Sequence, residues 1–478
     1  MINTLYWHDY ETTGAVPSRD RPTQFAGVRT DEDLNIIGDP LVLYCKPVRD
    51  ILPQPVACLV TGITPQQAER EGVPEKEFIG RIHAELSKPG TCGVGYNSIR
   101  FDDEVTRYTL YRNFYDPYER EWKQNNSRWD IIDMMRLARA LRPDGIIWPD
   151  YENGSPCFKL EELTAANGLS HDAAHDALSD VLATIALARL VREKQPQLYQ
   201  YLYSNRSKQQ VAGLVGLVQR KPFLHVSSKL PRENGYLGLM MPLAQHPVNK
   251  NAVLCINLMG DMKALVGLTS EQIAERVFTP ADDLPSGVER LPLKAVHLNK
   301  CPVVTTPKLL DPAAAERLGI DIERCEQNWR YLEEQFQRQP VLASNVAAAF
   351  ADREFESVTD PELQLYDGFL PNADKPLLAE VRNASAEELA SGAIQFQDKR
   401  YQALLFLYRA RNFPDSLSEQ ELAQWEELRF QRLTSPAEGY LTLDQYTTEI
   451  EQRINAADVS ERDKSILLSL IEWGDAIL

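Results

Sequence analysis

His8-Asp9-Tyr10-Glu11-Thr12-Thr13-Gly14 follows directly on the apolar run Leu5 to Trp7, placing two carboxylates at i and i+2 where an apolar strand ends. Side chains two apart on an extended strand project to one face. Asp9 and Glu11 therefore converge where a cation can bridge them, and the stretch reads as half of a metal site. The alternative is a pair of solvated acids on an exposed strand. Thr12-Thr13-Gly14 weighs against it, being a polar turn with a flexible residue at a point where backbone can approach a ligand closely.

Two further stretches complete the shell. Gly95-Tyr96-Asn97-Ser98-Ile99-Arg100-Phe101-Asp102 follows a short run of small and apolar residues and delivers a third carboxylate, Asp102, beside an aromatic that can pack under it. Asp103 and Glu104 crowd it, so the run also reads as the solvated, acidic start of a helix, where carboxylates suit the positive end of the dipole. In the third stretch Asp180 shares a helical stripe with Ala177, Val181, Thr184 and Ala188, an otherwise apolar and inward face. A buried carboxylate needs a partner. A metal shared with Asp9, Glu11 and Asp102 supplies one, and His175 just upstream reaches the reacting water without ligating. His171 and Asp176 repeat the H-x4-D spacing; the His175–Asp180 pair is preferred for its stripe, which leaves His171 a bystander.

Taken together, D-x-E, N-x-x-x-F-D and H-x4-D in this order resemble the histidine-bearing branch of the DEDD 3′-to-5′ exonucleases, whose catalytic domain is ribonuclease H-like. The chain is most similar to the bacterial exonuclease I family. W-H-D-Y-E-T-T-G, D-R-P-T-Q-F-A, T-G-I-T-P-Q, R-F-D-D-E-V-T-R, Y-R-N-F-Y-D-P-Y and A-H-D-A carry the likeness through the first ~200 residues, and H-P-V-N-K-N-A-V, H-L-N-K-C-P-V, Q-L-Y-D-G-F-L and Y-R-A-R-N-F-P continue it along nearly the whole chain. The resemblance implies that Asp9, Glu11, Asp102 and Asp180 hold two divalent ions, that His175 is the general base, and that Glu11, Thr12, Thr13, Asn97 and Arg100 meet the substrate. It implies hydrolysis of single-stranded DNA from the 3′ end to 5′-mononucleotides, in repair and recombination, by a monomer. The rival readings are an RNA 3′-exonuclease or proofreading subunit of the same superfamily, and a non-catalytic DNA-binding scaffold.

The residue types suit that chemistry. A phosphodiester is anionic and resists hydroxide, and two ions about 3.5–4 Å apart neutralise the phosphate, activate water and stabilise the departing 3′-oxygen. Oxygen-only ligands favour hard Mg²⁺, with Mn²⁺ as the alternative, over zinc. An imidazole with an ordinary pKa near 6.5 accepts the water's proton close to neutral pH.

Composition sets the surroundings. At 478 residues with 43% hydrophobic content the chain supports two or three domains. It shows no long apolar run and no signal sequence, so a cytoplasmic protein without a membrane partner is expected. Seven cysteines without C-x-x-C spacing read as buried thiols rather than a zinc site or disulfide framework. The net charge of −18 is uneven: Lys+Arg against Asp+Glu is 22 to 30 over residues 1–196, 17 to 14 over 197–350 and 12 to 25 over 351–478. The middle segment alone is basic, which fits a localised track for a strand's backbone or ordinary surface variation.

Periodicity gives strands over 4–9, 24–30, 41–46 and 91–96 and helices over 65–71, 75–86, 130–141 and 172–193, an α/β pattern. Residues 225–268 and 287–304 read as strands and turns, and the chain from 311 onward as helix broken at Pro340, Pro361, Pro371 and Pro414. The expected architecture is multidomain α/β plus β plus α. By the resemblance it comprises a ribonuclease H-like exonuclease domain over 1–196, an SH3-like β domain over 197–350 and a helical domain over 351–478. Residues 198–208 interleave Tyr199, Tyr201 and Tyr203 with Arg206 and Lys208, suiting either base stacking and an acidic peptide or a helix-packing stripe. Exonuclease I relatives bind the acidic C-terminal tail of single-stranded DNA-binding protein, and the basic and apolar candidates for it are Arg142, Tyr201, Arg206 and Arg324, with Lys300, Lys308 and Arg317 nearby.

Overall fold

The computed structural model of the chain describes residues 3–171, 175–351, 358–436 and 439–477. They fall into two compact units, Met1–Ser127 with His171–Ile185 and Glu356–Leu478, and Arg128–Ser170 with Ala186–Phe355.

The first unit begins with β1 (Thr4–Thr12), β2 (Pro22–Thr30) and β3 (Leu41–Tyr44), followed by α1 (Pro55–Thr61), α2 (Pro65–Glu71), α3 (Glu75–Leu86), β4 (Thr91–Gly95) and α4 (Asp102–Arg112). Its strands run β3-β2-β1-β4. β1 pairs antiparallel with β2, Asp9 opposite Ala26, and parallel with β4, Trp7 opposite Val94. A central strand flanked on both sides is buried on both faces, which is why Leu5, Tyr6 and Trp7 form an unbroken apolar run. β1 reaches three residues beyond the expected end at 9, so both acids lie within the strand. Tyr6, Tyr10 and Phe25 pack against Phe78, Ile79 and Ile82 of α3 and Val105 and Leu110 of α4. The bounds of α2 and α3 match the sequence expectation; α2 is capped by Thr64, whose side chain accepts from Gln67 N, with Pro65 in its first turn.

The chain then gives β5 (Ser127–Asp130), α5 (Ile132–Leu141), α6 (Leu160–Ala166), α7 (Ala177–Lys194), α8 (Pro196–Ser204) and α9 (Lys208–Val215). The helix expected over 172–193 thus starts later, at Ala177, and 172–174 lie outside the described residues. In the second unit β6 (Phe223–Val226), β7 (Leu237–Gln245), β8 (Ala252–Asn257), β9 (Leu293–His297) and β10 (Val304–Thr305) form an antiparallel sheet of order β10-β6-β7-β8-β9. Its core joins Phe223, Met240, Cys255 and Val296 to Val211 and Val215 of α9. Strand was expected as far as 268, but β8 ends at Asn257 and turns follow, leading to α10 (Ser270–Phe278). The unit closes with α11 (Pro312–Arg317), α12 (Ile322–Arg338) and α13 (Val341–Ala348), the last two separated at Pro340 as expected.

Helices α14 (Lys375–Asn383), α15 (Ala386–Ala390), α16 (Lys399–Asn412), α17 (Glu419–Thr434), α18 (Leu443–Ile454) and α19 (Glu461–Ile477) return to the first unit. Tyr108, Tyr111 and Phe114 pack into their core with Leu378, Tyr401 and Leu404. Leu52 and Cys58 join a second cluster with Tyr446, Leu467 and Trp473. No helix among the described residues is long and apolar enough to cross a membrane.

Candidate active site

Alternation along β1 aims Asp9 and Glu11 to one face, and a bulge in the β1–β2 pairing falls between Glu11 and Thr12. The Tyr10 amide between the two acids donates to Asp102 Oδ1 at 3.1 Å, tying the first residue of α4 to the strand. The Thr106 hydroxyl, one turn on, lies 2.9 Å from the Tyr10 hydroxyl and 2.8 Å from the Asp102 carbonyl. The acidic start of α4 is indeed a helix start, but it is not solvated: Asp102 and Asp103 are buried, and Asp103 pairs with buried Arg120 at 2.6 Å. Asp102 thereby reaches the same place as Asp9 and Glu11.

Asp180 arrives from α7, with Ala177, Val181, Thr184 and Ala188 buried along its stripe as expected. Gln24 of β2 holds the start of that helix: its amide donates to Asp176 Oδ1 and accepts from Ala177 N, both at 3.1 Å. Potential ligand atoms of Glu11, His175 and Asp180 lie within 4.8 Å of one another. His175 is exposed and has a positive φ of 66°. His171 was set aside because the stripe favoured the His175–Asp180 pair, yet its Nε2 lies 2.5 Å from Asp180 Oδ1. Spacing conceals this, because H-x4-D pairs His171 with Asp176 while Asp180 stands nine positions away.

The electrostatics report the crowding. Burial, then the charges of Asp102, Glu11, Asp180 and Asp176, hold the Asp9 carboxyl well above the usual range. Burial, then Asp180, Asp102 and Asp176, push Glu11 up to about 9. Burial raises Asp180 as well, against the pull of its bond to His171. Carboxylates so placed repel one another unless a cation sits among them, and an all-oxygen set suits a hard divalent metal. His8, by contrast, is structural: it is buried, stacks on Phe25 at 6.2 Å, and burial depresses its pKa to about 4.

The remaining candidates divide. The Thr12 hydroxyl donates to the Gly14 carbonyl at 2.7 Å and the Thr13 hydroxyl accepts from Arg21 N at 2.8 Å, so both shape the loop after β1. Asn97, at φ 61°, and Arg100 are exposed ahead of Asp102. In the second unit Tyr199 packs edge-on and Tyr203 tilted against Trp129, with ring centroids 5.2 and 5.4 Å apart, so the aromatic run over 198–208 is largely a packing stripe. Tyr201 is half-buried, its hydroxyl 3.3 Å from the Val304 carbonyl, and Arg206 lies over the Tyr203 ring at 3.8 Å. Arg142 is 3.9 Å from Asp311, a carboxylate inside the patch read as basic. Arg324, Lys300 and Lys308 are exposed, and Arg317 lines a cavity of ≈ 520 Å³ with Arg136, Arg139, Arg232 and Glu233.

Comparison with known proteins accounts for the whole chain. Residues 6–188 match the Exonuclease family, 206–352 the Exonuclease I SH3-like domain and 359–477 the Exonuclease I C-terminal domain. The chain is 44% identical to exodeoxyribonuclease I of Escherichia coli (strain K12) over 477 residues, covering 100% of this chain and 98% of the relative. It superposes with a TM-score of 0.94 on a moderately thermophilic exonuclease I from Methylocaldum szegediense, 50% identical with 99% of both chains covered. It does so equally, at 0.94, on E. coli exonuclease I in complex with a dA16 oligonucleotide, 43% identical with 100% of both covered. Further similar structures are a zinc-bound form of the E. coli exonuclease I complex with single-stranded DNA, and an SSB/exonuclease I structure in complex with an inhibitor. The converging acids and the full-length likeness agree, and the chain belongs to the exodeoxyribonuclease I family of hydrolases.

Proposed function

We propose that this exonuclease degrades single-stranded DNA from its 3′ end to 5′-mononucleotides, with Asp9, Glu11, Asp102 and Asp180 as metal ligands. The observation that carries it is the meeting of these four carboxylates from β1, α4 and α7 in one partly buried place. Two Mg²⁺ ions, or Mn²⁺ in their stead, would supply charge neutralisation and an activated water there. His175, exposed beside Glu11 and Asp180, takes the proton of that water. Asn97 and Arg100 face the strand, as do Glu11 and the main chain at Thr12 and Thr13. The related E. coli structures with oligonucleotides support the substrate. The domain boundaries 1–196, 197–350 and 351–478, a monomeric state, a cytoplasmic setting and a role in DNA repair and recombination belong to the same proposal. A time course with end-labelled single-stranded DNA, duplex DNA and RNA, in Mg²⁺ and in EDTA, tests it. Selective, Mg²⁺-dependent loss of single-stranded DNA from the 3′ end is expected, and EDTA-resistant cleavage or equal attack on RNA contradicts it.

The similar SSB/exonuclease I structure supports a second element, docking of an acidic C-terminal tail of single-stranded DNA-binding protein on the second unit. Arg142, Tyr201, Arg206 and Arg324 are the proposed contacts, with Asp311 subtracting from Arg142. Ion pairs near a surface are screened over about 8–10 Å at physiological salt, so binding weakens as salt rises. Titration of a labelled tail peptide into wild type, Arg142→Ala and Arg324→Ala reads this out. Absence of saturable binding at low salt removes the partner, and binding untouched by both substitutions moves its site.

A further inference from the structure

The chain leaving Glu11 is gripped at Thr13. Thr13 N donates to the Arg21 carbonyl at 2.8 Å, Arg21 N donates to Thr13 Oγ1 at 2.8 Å, and Gln54 N donates to the Thr13 carbonyl at 2.7 Å. The exit of β1 is thus fixed from two directions, by residue 21 and by the segment ending at 54. Both holders are anchored in one buried ion cluster. The Arg21 guanidinium, 3% exposed, lies 2.8 Å from fully buried Glu362. Asp50, four residues before Gln54, accepts two bonds from Arg411 at 2.6 and 3.1 Å and one from Arg432.

The other members close the cluster. Glu362 accepts two bonds from Arg411 at 2.6 and 2.8 Å and lies 3.0 Å from Arg432. Arg432 bonds Asp360 at 2.5 Å, and Tyr440 donates to the same carboxylate at 2.9 Å. Arg112 lies 3.3 Å from Glu75 and 3.8 Å from Glu362. Four guanidiniums therefore meet four carboxylates. Burial alone would raise the Glu362 carboxyl, but Arg21, Arg411 and Arg432 hold it well below its usual range. Arg21 is the loosest member: its guanidinium nitrogens are buried and have no hydrogen-bond partner among the described residues, so charge alone couples it to Glu362.

An ion cluster serving only cohesion has no reason to end on both arms that hold one catalytic loop. We propose that Arg21 and Glu362 are positioning residues, through which the C-terminal segment sets where β1 ends and so where the Glu11 carboxylate stands. Catalytic groups need placement to about 0.5 Å, and a loop with polar turn chemistry does not reach that unaided. Without Glu362 the buried Arg21 charge loses its 2.8 Å partner and keeps only the more distant field of Glu75, and it escapes by pulling its backbone, and Thr13 with it, out of register. The inference rests on Glu11 being a metal ligand.

The test uses the full chain stripped of metal, titrated calorimetrically with Mn²⁺, alongside the Mg²⁺ dependence of single-stranded DNA cleavage. Arg21→Gln and Glu362→Gln are each expected to weaken Mn²⁺ binding by about tenfold, the lower end for residues supporting a metal ligand, while the rate at saturating Mg²⁺ persists. The double variant should match either single one, because the two act as a unit. Arg21→Lys, which keeps the charge, should recover most of the affinity and decides the matter if both neutral variants fail to fold. Arg409→Gln breaks the 2.6 Å pair with Glu421 elsewhere among the C-terminal helices and should lower the melting temperature without moving Mn²⁺ affinity. Unchanged affinity in a folded Arg21 or Glu362 variant, or an equal loss in Arg409→Gln, overturns the proposal. If Glu11→Gln also leaves Mn²⁺ binding unchanged, the ligand assignment itself fails; if only Glu11→Gln weakens it, only the positioning role fails.

Discussion

Glu11 meets opposite demands with and without metal. Its carboxyl titrates near 4.3 in an unfolded chain and is pushed up to about 9 in the folded, metal-free protein by burial and by Asp180, Asp102 and Asp176. Between those values the folded chain holds a proton that the unfolded chain has released, so rising pH costs stability across that window. Thermal unfolding of stripped protein should therefore fall in temperature from pH 5 to 8.5, and Glu11→Gln should flatten the slope and be the more stable form at pH 8. An unaltered slope would show that Glu11 is not the crowded group. Asp9→Ala and Asp180→Ala should abolish cleavage at saturating Mg²⁺ yet melt no lower than wild type without metal, since each relieves the same repulsion; near-normal turnover in either sinks the ligand set. For the histidines, His175→Ala should lose about 10²–10⁴ in rate with DNA binding retained, the range for a missing general base. His171→Ala should keep its rate at saturating Mg²⁺, because its bond to Asp180 competes with metal rather than serving the reaction. Equal rate losses in both, or a loss only in His171→Ala, would overturn the assignment of His175 as the base.

The elements around the site show what local sequence conveys. β1 was legible because an acid pair closes an apolar run, and α2 and α3 because Thr64-Pro65 and Pro74 mark their starts. The start of α7 was not: Asp and Ala at 172–177 suit a helix, but His175 takes a left-handed backbone and Gln24 receives the helix at Ala177. Likewise the acids opening α4 looked solvated because their partners, Arg120 and the Tyr10 amide, stand 17 and 92 residues away. The turn after β1 yields a prediction of its own. A Cβ on Gly14 would come within 2.3 Å of Asp20 Oδ2 and 2.8 Å of Gln54 Cγ, and Asp20 Oδ2 already accepts from Val16 N at 2.8 Å. Gly14→Ala should cost about 1–3 kcal/mol in denaturant unfolding, as overpacking does, and an unchanged midpoint would mean the loop yields freely.

For the molecule as a whole, composition revealed a basic middle and acidic flanks, but not that the acidic C-terminal helices share a compact unit with the first 127 residues. That merging rests on side chains meeting across hundreds of positions, such as Arg411 on Asp50 and Leu52 beside Trp473. Deleting residues 359–477 should therefore give insoluble chain rather than a small active nuclease, since it strips the cover from Tyr108, Tyr111 and Phe114 and orphans the charges of Asp50 and Arg21. Soluble expression with a native-like circular dichroism spectrum would count against it. The same long reach has a temporal side. Asp50 and Arg411 are 361 residues apart, and at about 5–20 residues per second a ribosome needs roughly 20 to 70 s to deliver the second after the first. While residues 181–361 are being added, the nascent chain already carries Asp9, Glu11, Asp102 and Asp180 but lacks Glu362, Arg411 and Arg432, the side chains that brace the loop after β1. If Glu362 sets where Glu11 stands, metal affinity matures last, when the helices that carry Arg411 and Arg432 have left the tunnel.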